Sequence, residues 1–428
     1  MLDIKIIRNN PEIILNNLQK RRKKKYISML NKLIEKDYKW RELKKQIDLL
    51  RQNRNELTKE IQTLKQKNNF ELINKKIVEA KNIPKEIKNL EDICKKIEEE
   101  KKFLLLRIPN VLHESVPYGK DKEGNIIVHK WGKKPEFNFI PKNHVDLTEK
   151  LNLADIERAA KTSGTRFYYL KNQLVELEFA LILHSIKILK ERGFKLIIPP
   201  TLVRGVIMEG GGFLPTFKDD VYKIENEDLY LAGTSEAPLI GLHSEEILYD
   251  EELPIRYGGY STCFRTEAGA HGKDTKGIFR THHFEKIEMI SITNQNISWK
   301  EFDYLFETAE LFWQSLGIHY QKVNICTGDI GIVASKKYDL EAWYPSKSEY
   351  RELVSTSNCT DYQARRLNIK YREKDGMPTN MCHTLNSTLI AIQRGLTCIL
   401  ENYQNEDGSI RVPKVLQKYV DFKEIKLK

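Results

Sequence analysis

Between Leu33 and Leu104 apolar residues recur every three or four positions. The outward series, Trp40, Leu43, Ile47, Leu50, Leu57, Ile61 and Leu64, is interrupted only by Lys36 and Arg54, and this spacing predicts a helix with one apolar seam. After Asn68-Asn69 a returning series, Ala80, Ile83, Ile87, Leu90, Cys94, Ile97 and Leu104, keeps the rhythm until Arg107-Ile108-Pro109-Asn110. Two such seams on either side of a polar pair predict an antiparallel coiled coil over residues 27–107. At ~1.5 Å per residue, about 40 residues in each direction make a rod on the order of 60 Å long. A rod that thin encloses no pocket, so its function must reside on its outer face. Pro84 removes a helical hydrogen bond and predicts a bend or a helix restart near Ile83. Ahead of the rod, Asn10-Pro11-Glu12 opens a capped helix carrying Ile13, Ile14, Leu15 and Leu18, closed by the basic run Arg21-Arg22-Lys23-Lys24-Lys25.

The pattern changes after the rod. Residues 108–150 are rich in Pro, Gly and Asn and read as a linker. From 151 to 428 helical and strand-like segments alternate: helices over Asp155–Lys161 and Leu174–Arg192, then a strand through Phe194-Lys195-Leu196-Ile197-Ile198 that ends at Pro199-Pro200. Further on, Phe264-Arg265-Thr266-Glu267 and Arg280-Thr281-His282-His283-Phe284-Glu285-Lys286-Ile287-Glu288 flank the loop Ala268–Gly277, which is rich in Gly and Lys. That arrangement predicts an antiparallel hairpin whose alternation puts Arg265 and Glu267 on one face. A guanidinium offers planar charged donors to phosphate, a carboxylate can accept from an amine, and Phe284 offers a flat surface to a base. A lone R-x-E on a hairpin is more often an ordinary cross-strand ion pair.

Charge sharpens the division of the chain. Residues 1–107 hold 29 Lys and Arg against 16 Asp and Glu, a net +13, whereas the remainder holds 42 against 44, a net −2. A nearly neutral second portion joined to a basic arm suits an enzyme of small molecules whose other substrate is a nucleic acid. No apolar run approaches the ~18 residues of a membrane span, and Met1–Asn10 lacks a signal-peptide core, so a cytoplasmic protein is expected. The six cysteines form no C-x-x-C pair and read as reduced thiols. Cys382-His383 has no second ligand pair, so zinc is not expected. The Gly210-Gly211-Gly212-Phe213 run lacks the Lys-Ser or Lys-Thr of a phosphate-binding P-loop.

Three more segments complete the set: Thr234-Ser235-Glu236, Tyr350–Arg366 with Arg351-Glu352-Leu353-Val354-Ser355, and Thr384–Arg394 running into Ile399-Leu400-Glu401-Asn402. In this order and spacing, over essentially the whole chain, the sequence resembles seryl-tRNA synthetase, a class II aminoacyl-tRNA synthetase. The resemblance implies an α+β fold, with a tRNA-binding helical arm followed by a catalytic domain built on an antiparallel sheet flanked by helices. It implies a homodimer formed through the helix and strand around Leu174–Pro200. The implied reaction is activation of L-serine by ATP with Mg²⁺ to seryl-adenylate, then transfer to the 3′ end of tRNA(Ser), with tRNA(Sec) a further candidate.

Residue by residue, the resemblance implies that Arg265 holds the α-phosphate and the serine carboxylate. Glu267 accepts from the adenine amine, Phe284 stacks beneath the ring, and Arg394 covers its other face and, with Arg280, reaches the phosphate tail. Thr266, Leu353 and Val354 complete the nucleotide-binding segments, and Glu352 and Ser355 hold Mg²⁺, which prefers hard oxygen ligands. Thr234, Ser235, Glu236, Glu288, Asn386 and Thr388 form the serine pocket, where Glu288 and Thr388 satisfy the hydroxyl. For Asn386 and Thr388 helix capping is the competing reading. Ile392-Gln393 departs from the Pro-Arg common in relatives and leaves the local backbone open. Two other functional classes fit parts of the pattern: an amino-acid ligase acting without tRNA, which would lack the arm, and an inactive RNA-binding relative, which would have lost Arg265, Glu352 or Arg394.

Overall fold

The computed structural model describes residues 1–66, 70–269, 274 and 276–427, and it separates into one unit over Leu2–Pro109 and a second made of Met1 with the chain from Asn110 onward. The reversal expected at Asn68-Asn69 lies outside the described residues, as do Ala270–Lys273 and Thr275 of the expected hairpin loop.

In the first unit α1 (Ile4–Asn9) and α2 (Pro11–Lys20) lead into two long helices, α3 (Lys24–Gln66) and α4 (Phe70–Leu105). Asn10 stands at the N-cap of α2 without a side-chain capping bond, and Pro11 takes the first helical position, where a missing N–H costs nothing. The seam packs as the heptads require: Ile47 and Leu57 of α3 meet Ile83, Ile87 and Cys94 of α4, with Trp40, Leu43, Leu50, Ala80 and Leu90 alongside. Ion pairs cross the helices from Lys36 to Glu100 and, at 2.7 Å, from Arg51 to Glu91. The restart expected at Pro84 does not occur, because α4 continues through it with Ile83 and Ile87 both buried in the seam. At the root of the rod Asp37 is buried and receives Arg8, Arg41 and Lys101. Burial alone would push its carboxyl up, but Arg8 and then Lys101 hold it down at about 2.

The second unit is organised by an eight-stranded sheet. In chain order its strands are β1 (Ile126–Trp131), β2 (Lys195–Ile197), β3 (Ile255–Phe264), β4 (His283–Thr293), β5 (Tyr320–Asn324), β6 (Lys336–Tyr344), β7 (Glu349–Asn358) and β8 (His383–Ala391). Across the sheet they run β1-β5-β6-β7-β8-β4-β3-β2, antiparallel throughout except for the edge pair β2 and β3. Residues 108–150, expected as a linker, therefore contribute an edge strand, and they also carry α5 (His144–Lys150). Next come α6 (Ile156–Ser163), with the Asp155 side chain accepting from Arg158 N–H as its cap, and α7 (Gln173–Glu191).

One sheet face is covered by long helices and the other only in part, where Ile255, Tyr257, Ile290 and Ile292 pack with Leu239 and Ile240. Leu177 and Leu181 of α7, Phe306, Phe312 and Trp313 of α10 (Ser298–Ser315), and Leu396 and Ile399 of α11 (Ile392–Asn402) pack on Ile287, Met289, Leu340, Val354, Leu385 and Leu389 of the strands. Two short helices that serve the open face are α8 (Gly205–Gly211) and α9 (Glu236–Gly241). Because strand side chains alternate, burying Ile287 and Met289 beneath α7 and α10 turns Phe284, Lys286 and Glu288 to the open face.

Candidate active site

A cavity of about 300 Å³ lies on that open face. Its floor is set by two β-bulges. In β7 the pairing with β6 slips between Val354 and Glu352, leaving Leu353 without a partner. Strict alternation would send Glu352 and Ser355 to opposite faces. The extra residue brings both to the cavity while Val354 stays in the core. In β8 the slip falls between Thr388 and Ile390, so Asn386 and Thr388 face the cavity before the slip and Ala391 faces it afterwards. Asn386 and Thr388 are thus strand residues, and the capping reading is set aside.

The hairpin of β3 and β4 forms as the sequence predicts, with Cys263 opposite Phe284 and Phe264 opposite His283. Strand β3 ends at Phe264, however, so the alternation argument for Arg265 and Glu267 does not apply: both sit in the loop beyond it, Glu267 with φ of 52°. They still reach the cavity. Arg265 Nε donates to Gly233 O at 3.0 Å and its guanidinium lies 5.4 Å from the Phe284 ring centre, while Glu267 is held by Arg280 at 2.7 Å. Arg394, in the first turn of α11, donates to Glu352 O at 3.2 Å and lies 5.0 Å from the Phe279 ring. Ile392-Gln393 starts that helix regularly. Ile392 is buried in the core and Gln393 Oε1 accepts from Glu285 N–H at 2.9 Å.

Three residues named from sequence face elsewhere. Ser235 is buried and donates to Gly259 O at 3.3 Å. Thr266 gives its hydroxyl to Asp219 O and its N–H to Asp220 O at 3.1 Å. Val354 belongs to the core under the helices. The remaining candidates, Thr234, Glu236, Glu288, Asn386, Thr388, Leu353 and Ser355 among them, line the cavity.

Toward the end opposite Phe284 the lining becomes a small acidic pocket. Thr388 and Glu288 are cross-strand partners, and the Thr388 hydroxyl donates to Glu288 Oε2 at 3.3 Å. Glu236 accepts from Gln363 at 2.8 Å and from Asn386 at 3.1 Å. Burial, and then the charge of Glu288, push its carboxyl up to about 7. Near the bulged strand the balance is reversed. Burial would raise Glu352 too, but Lys337, then Arg394 and Arg265, outweigh it and hold the carboxyl below its ordinary value. Burial, and the neighbouring Arg265 and Arg280, lower Arg394, with Glu352 opposing. Among the described residues no three His, Cys, Asp or Glu side chains gather as a metal site. Glu352 and Ser355 offer two oxygens, a donor set that fits a cation completing its shell with water and phosphate. Cys382 is buried and His383 Nδ1 bonds Ser298 Oγ at 2.9 Å, so that pair serves packing.

Sequence reasoning missed Lys286, Lys337, Phe279 and Gln363. The first was accessible, since Lys286 shares its strand face with Phe284 and Glu288. The Gly run also has a use without being a P-loop: Gly211 and Gly212 wall the cavity, and Gly212, at φ of 91°, closes α8 where a Cβ would meet Val333 Cγ2 at 2.5 Å.

Comparison with known proteins accounts for both units. Residues 1–112 match the model of the seryl-tRNA synthetase N-terminal domain, and residues 217–403 match that of the tRNA synthetase class II core domain (G, H, P, S and T). The serine–tRNA ligase of Pyrococcus horikoshii is 45% identical over 99% of this chain and 97% of its own length. The chain belongs to the seryl-tRNA synthetase family. That of Nitrosopumilus maritimus is 44% identical over 98% of this chain and 99% of its own. Among solved structures, seryl-tRNA synthetase of P. horikoshii complexed with ATP superposes with a TM-score of 0.95 at 44% identity, each chain fully covered. The cytoplasmic serine–tRNA ligase of Naegleria fowleri in complex with AMP gives 0.89 at 37%, covering 100% of this chain and 99% of its own. Membership in this seryl-tRNA synthetase family makes the chain an ATP-dependent ligase.

Proposed function

We propose that the cavity activates L-serine with ATP and then passes the serine to the 3′ end of tRNA(Ser), with tRNA(Sec) a further candidate acceptor. The observation that carries this reading is the meeting, in one cavity, of three arginines, Arg265, Arg280 and Arg394, and the Phe284 ring with a polar lining of Glu288, Thr388 and Thr234. In-line attack of a carboxylate on the α-phosphorus needs positioning and charge stabilisation more than a nucleophilic side chain. Arg265 meets the α-phosphate and the serine carboxylate, Phe284 and Arg394 enclose the adenine, and Arg280 reaches the phosphate tail. Glu267, held by Arg280, is turned to accept from the adenine amine. Glu352 and Ser355 would hold Mg²⁺, which would neutralise phosphate charge there. Glu288 accepts from the substrate ammonium and hydroxyl, and Thr388 completes the hydroxyl's bonding. Alanine would leave these buried groups unpaired, which discriminates far more strongly than one methylene can.

The test is ATP–pyrophosphate exchange with each of the twenty amino acids. Serine alone should support rapid exchange, and comparable turnover with alanine, glycine or threonine would exclude the assignment.

A homodimer is supported by the apolar surface left on α7 and the open sheet edge, where Phe179, Leu183, Leu196 and Ile198 are exposed, Ile198 by 78%. In analytical ultracentrifugation the parent should sediment as a dimer and the double variant Phe179→Asp, Ile198→Asp as a monomer. A monomeric parent would remove this surface from consideration. No helix among the described residues is long and apolar enough to cross a membrane, and a role in charging tRNA for translation supports a cytoplasmic location.

A further inference from the structure

The ammonium of Lys286 occupies the pocket assigned to serine. Lys286 projects from β4 on the same face as Glu288, is 8% exposed, and lines the cavity. Its Nζ donates to Thr234 Oγ1 at 3.1 Å and pairs with Glu288 Oε2. That same Oε2 receives the Thr388 hydroxyl. One oxygen of the carboxylate assigned to the substrate ammonium is therefore already engaged by a cation of this chain.

Two ammonium groups and a hydroxyl cannot all keep good geometry on one carboxylate oxygen, so a serine ammonium that takes Oε2 displaces Lys286 from it. The incoming zwitterion carries the means to do so, because it brings one positive and one negative group. Its ammonium can take Glu288, and its carboxylate can take Lys286, whose flexible stem lets Nζ swing while the strand stays fixed. Net charge in the pocket is unchanged by this exchange. The second carboxylate, Glu236, is tied to Gln363 and Asn386 and remains in place.

We propose that Lys286 is a substrate-positioning residue: it stands in for the serine ammonium on Glu288 in the empty pocket and, when serine enters, moves to the serine carboxylate and shares it with Arg265. This rests on the serine-activating function proposed above. It adds a residue whose role is to exchange the Glu288 carboxylate for that of the substrate.

The test uses the full-length enzyme and three variants, Lys286→Met, Lys286→Ala and Lys286→Arg, in serine-dependent ATP–pyrophosphate exchange. Lys286→Met should raise the KM for serine at least tenfold and lower kcat by less than that, with ATP affinity, read by calorimetry, within threefold of the parent. Lys286→Arg should recover most of the loss, and added ethylammonium should partly restore Lys286→Ala. Retained ATP affinity identifies a folded site and separates loss of positioning from loss of structure. A serine KM within twofold of the parent in Lys286→Met, or equal losses in the Met and Arg variants with no rescue by ethylammonium, would overturn the proposal while leaving serine activation by the parent intact. Absence of exchange in the parent would instead remove the function on which it rests. A crystal structure with a non-hydrolysable seryl-adenylate analogue gives a readout independent of rate: Nζ should have left Glu288, and Nζ still paired to Glu288 overturns the exchange.

Discussion

Replacing Arg265 with alanine will lower kcat for serine-dependent exchange by on the order of 10² or more, with the KM for ATP changed only a few-fold. The reason lies in what holds the side chain. Its Nε is committed to Gly233 O at 3.0 Å, which fixes the plane of the guanidinium and leaves the outer nitrogens for an oxyanion. Three arginines face the cavity, so ground-state attraction for a triphosphate is spread over Arg265, Arg280 and Arg394 and survives the loss of one. Charge that develops on the α-phosphorus is local and cannot be shared in this way. Lysine at 265 should recover little, because a point charge does not reproduce the fork. Unchanged kcat with only a raised KM would show that Arg265 serves binding alone.

The second large effect concerns the arm. Removing its outer part should leave serine-dependent exchange near the parent rate and reduce serylation of tRNA by on the order of 10² at moderate salt, with a shallower salt dependence, as expected when phosphate contacts are lost. The structure decides where to cut. Excising residues 26–107 whole would strip Asp37 from Arg8, remove the Lys101 that pairs with it, and expose the short helices α1 and α2. Arg51 pairs with Glu91 across the rod, so a short Gly-Ser turn joining Gln52 to Leu90 removes residues 53–89 and keeps the root. Exchange and serylation should be measured on one preparation across a salt series. Serylation that survives near the parent rate would mean that the outer arm does not read tRNA.

Much of the rod was legible because a coiled coil is a one-dimensional object. Its seam repeats along the sequence, and Ile47, Ile87 and Cys94 are buried where the heptads put them. Of the bend or restart expected near Ile83, the restart is absent: a proline penalty is local, and the seam continues through Ile83 and Ile87 on either side of Pro84. The edge strand at Ile126–Trp131 was hidden for the opposite reason. Its residues are largely exposed, so it carries no periodic apolar signal, and it is a strand only because β5 offers it hydrogen-bond partners. In the cavity the charged and aromatic residues could be named from motifs, but Ser235, Thr266 and Val354 came with those motifs and turn elsewhere: the first two bond backbone carbonyls, and Val354 alternates into the core. Lys286 and Lys337 were overlooked because a lysine in a lysine-rich chain carries little information until burial singles it out.

The bulge at Leu353 absorbs the odd residue between Glu352 and Ser355, so the two share a face although they stand three positions apart. Leu353 is buried in the core, so another apolar side chain of similar volume can stand there at modest cost. Losing Leu353 itself would restore regular pleating and leave Glu352 and Ser355, then two positions apart, on the cavity face with Val354 between them in the core. A residue gained or lost elsewhere in β7, with no bulge to absorb it, would instead turn the side chains beyond it to the opposite face.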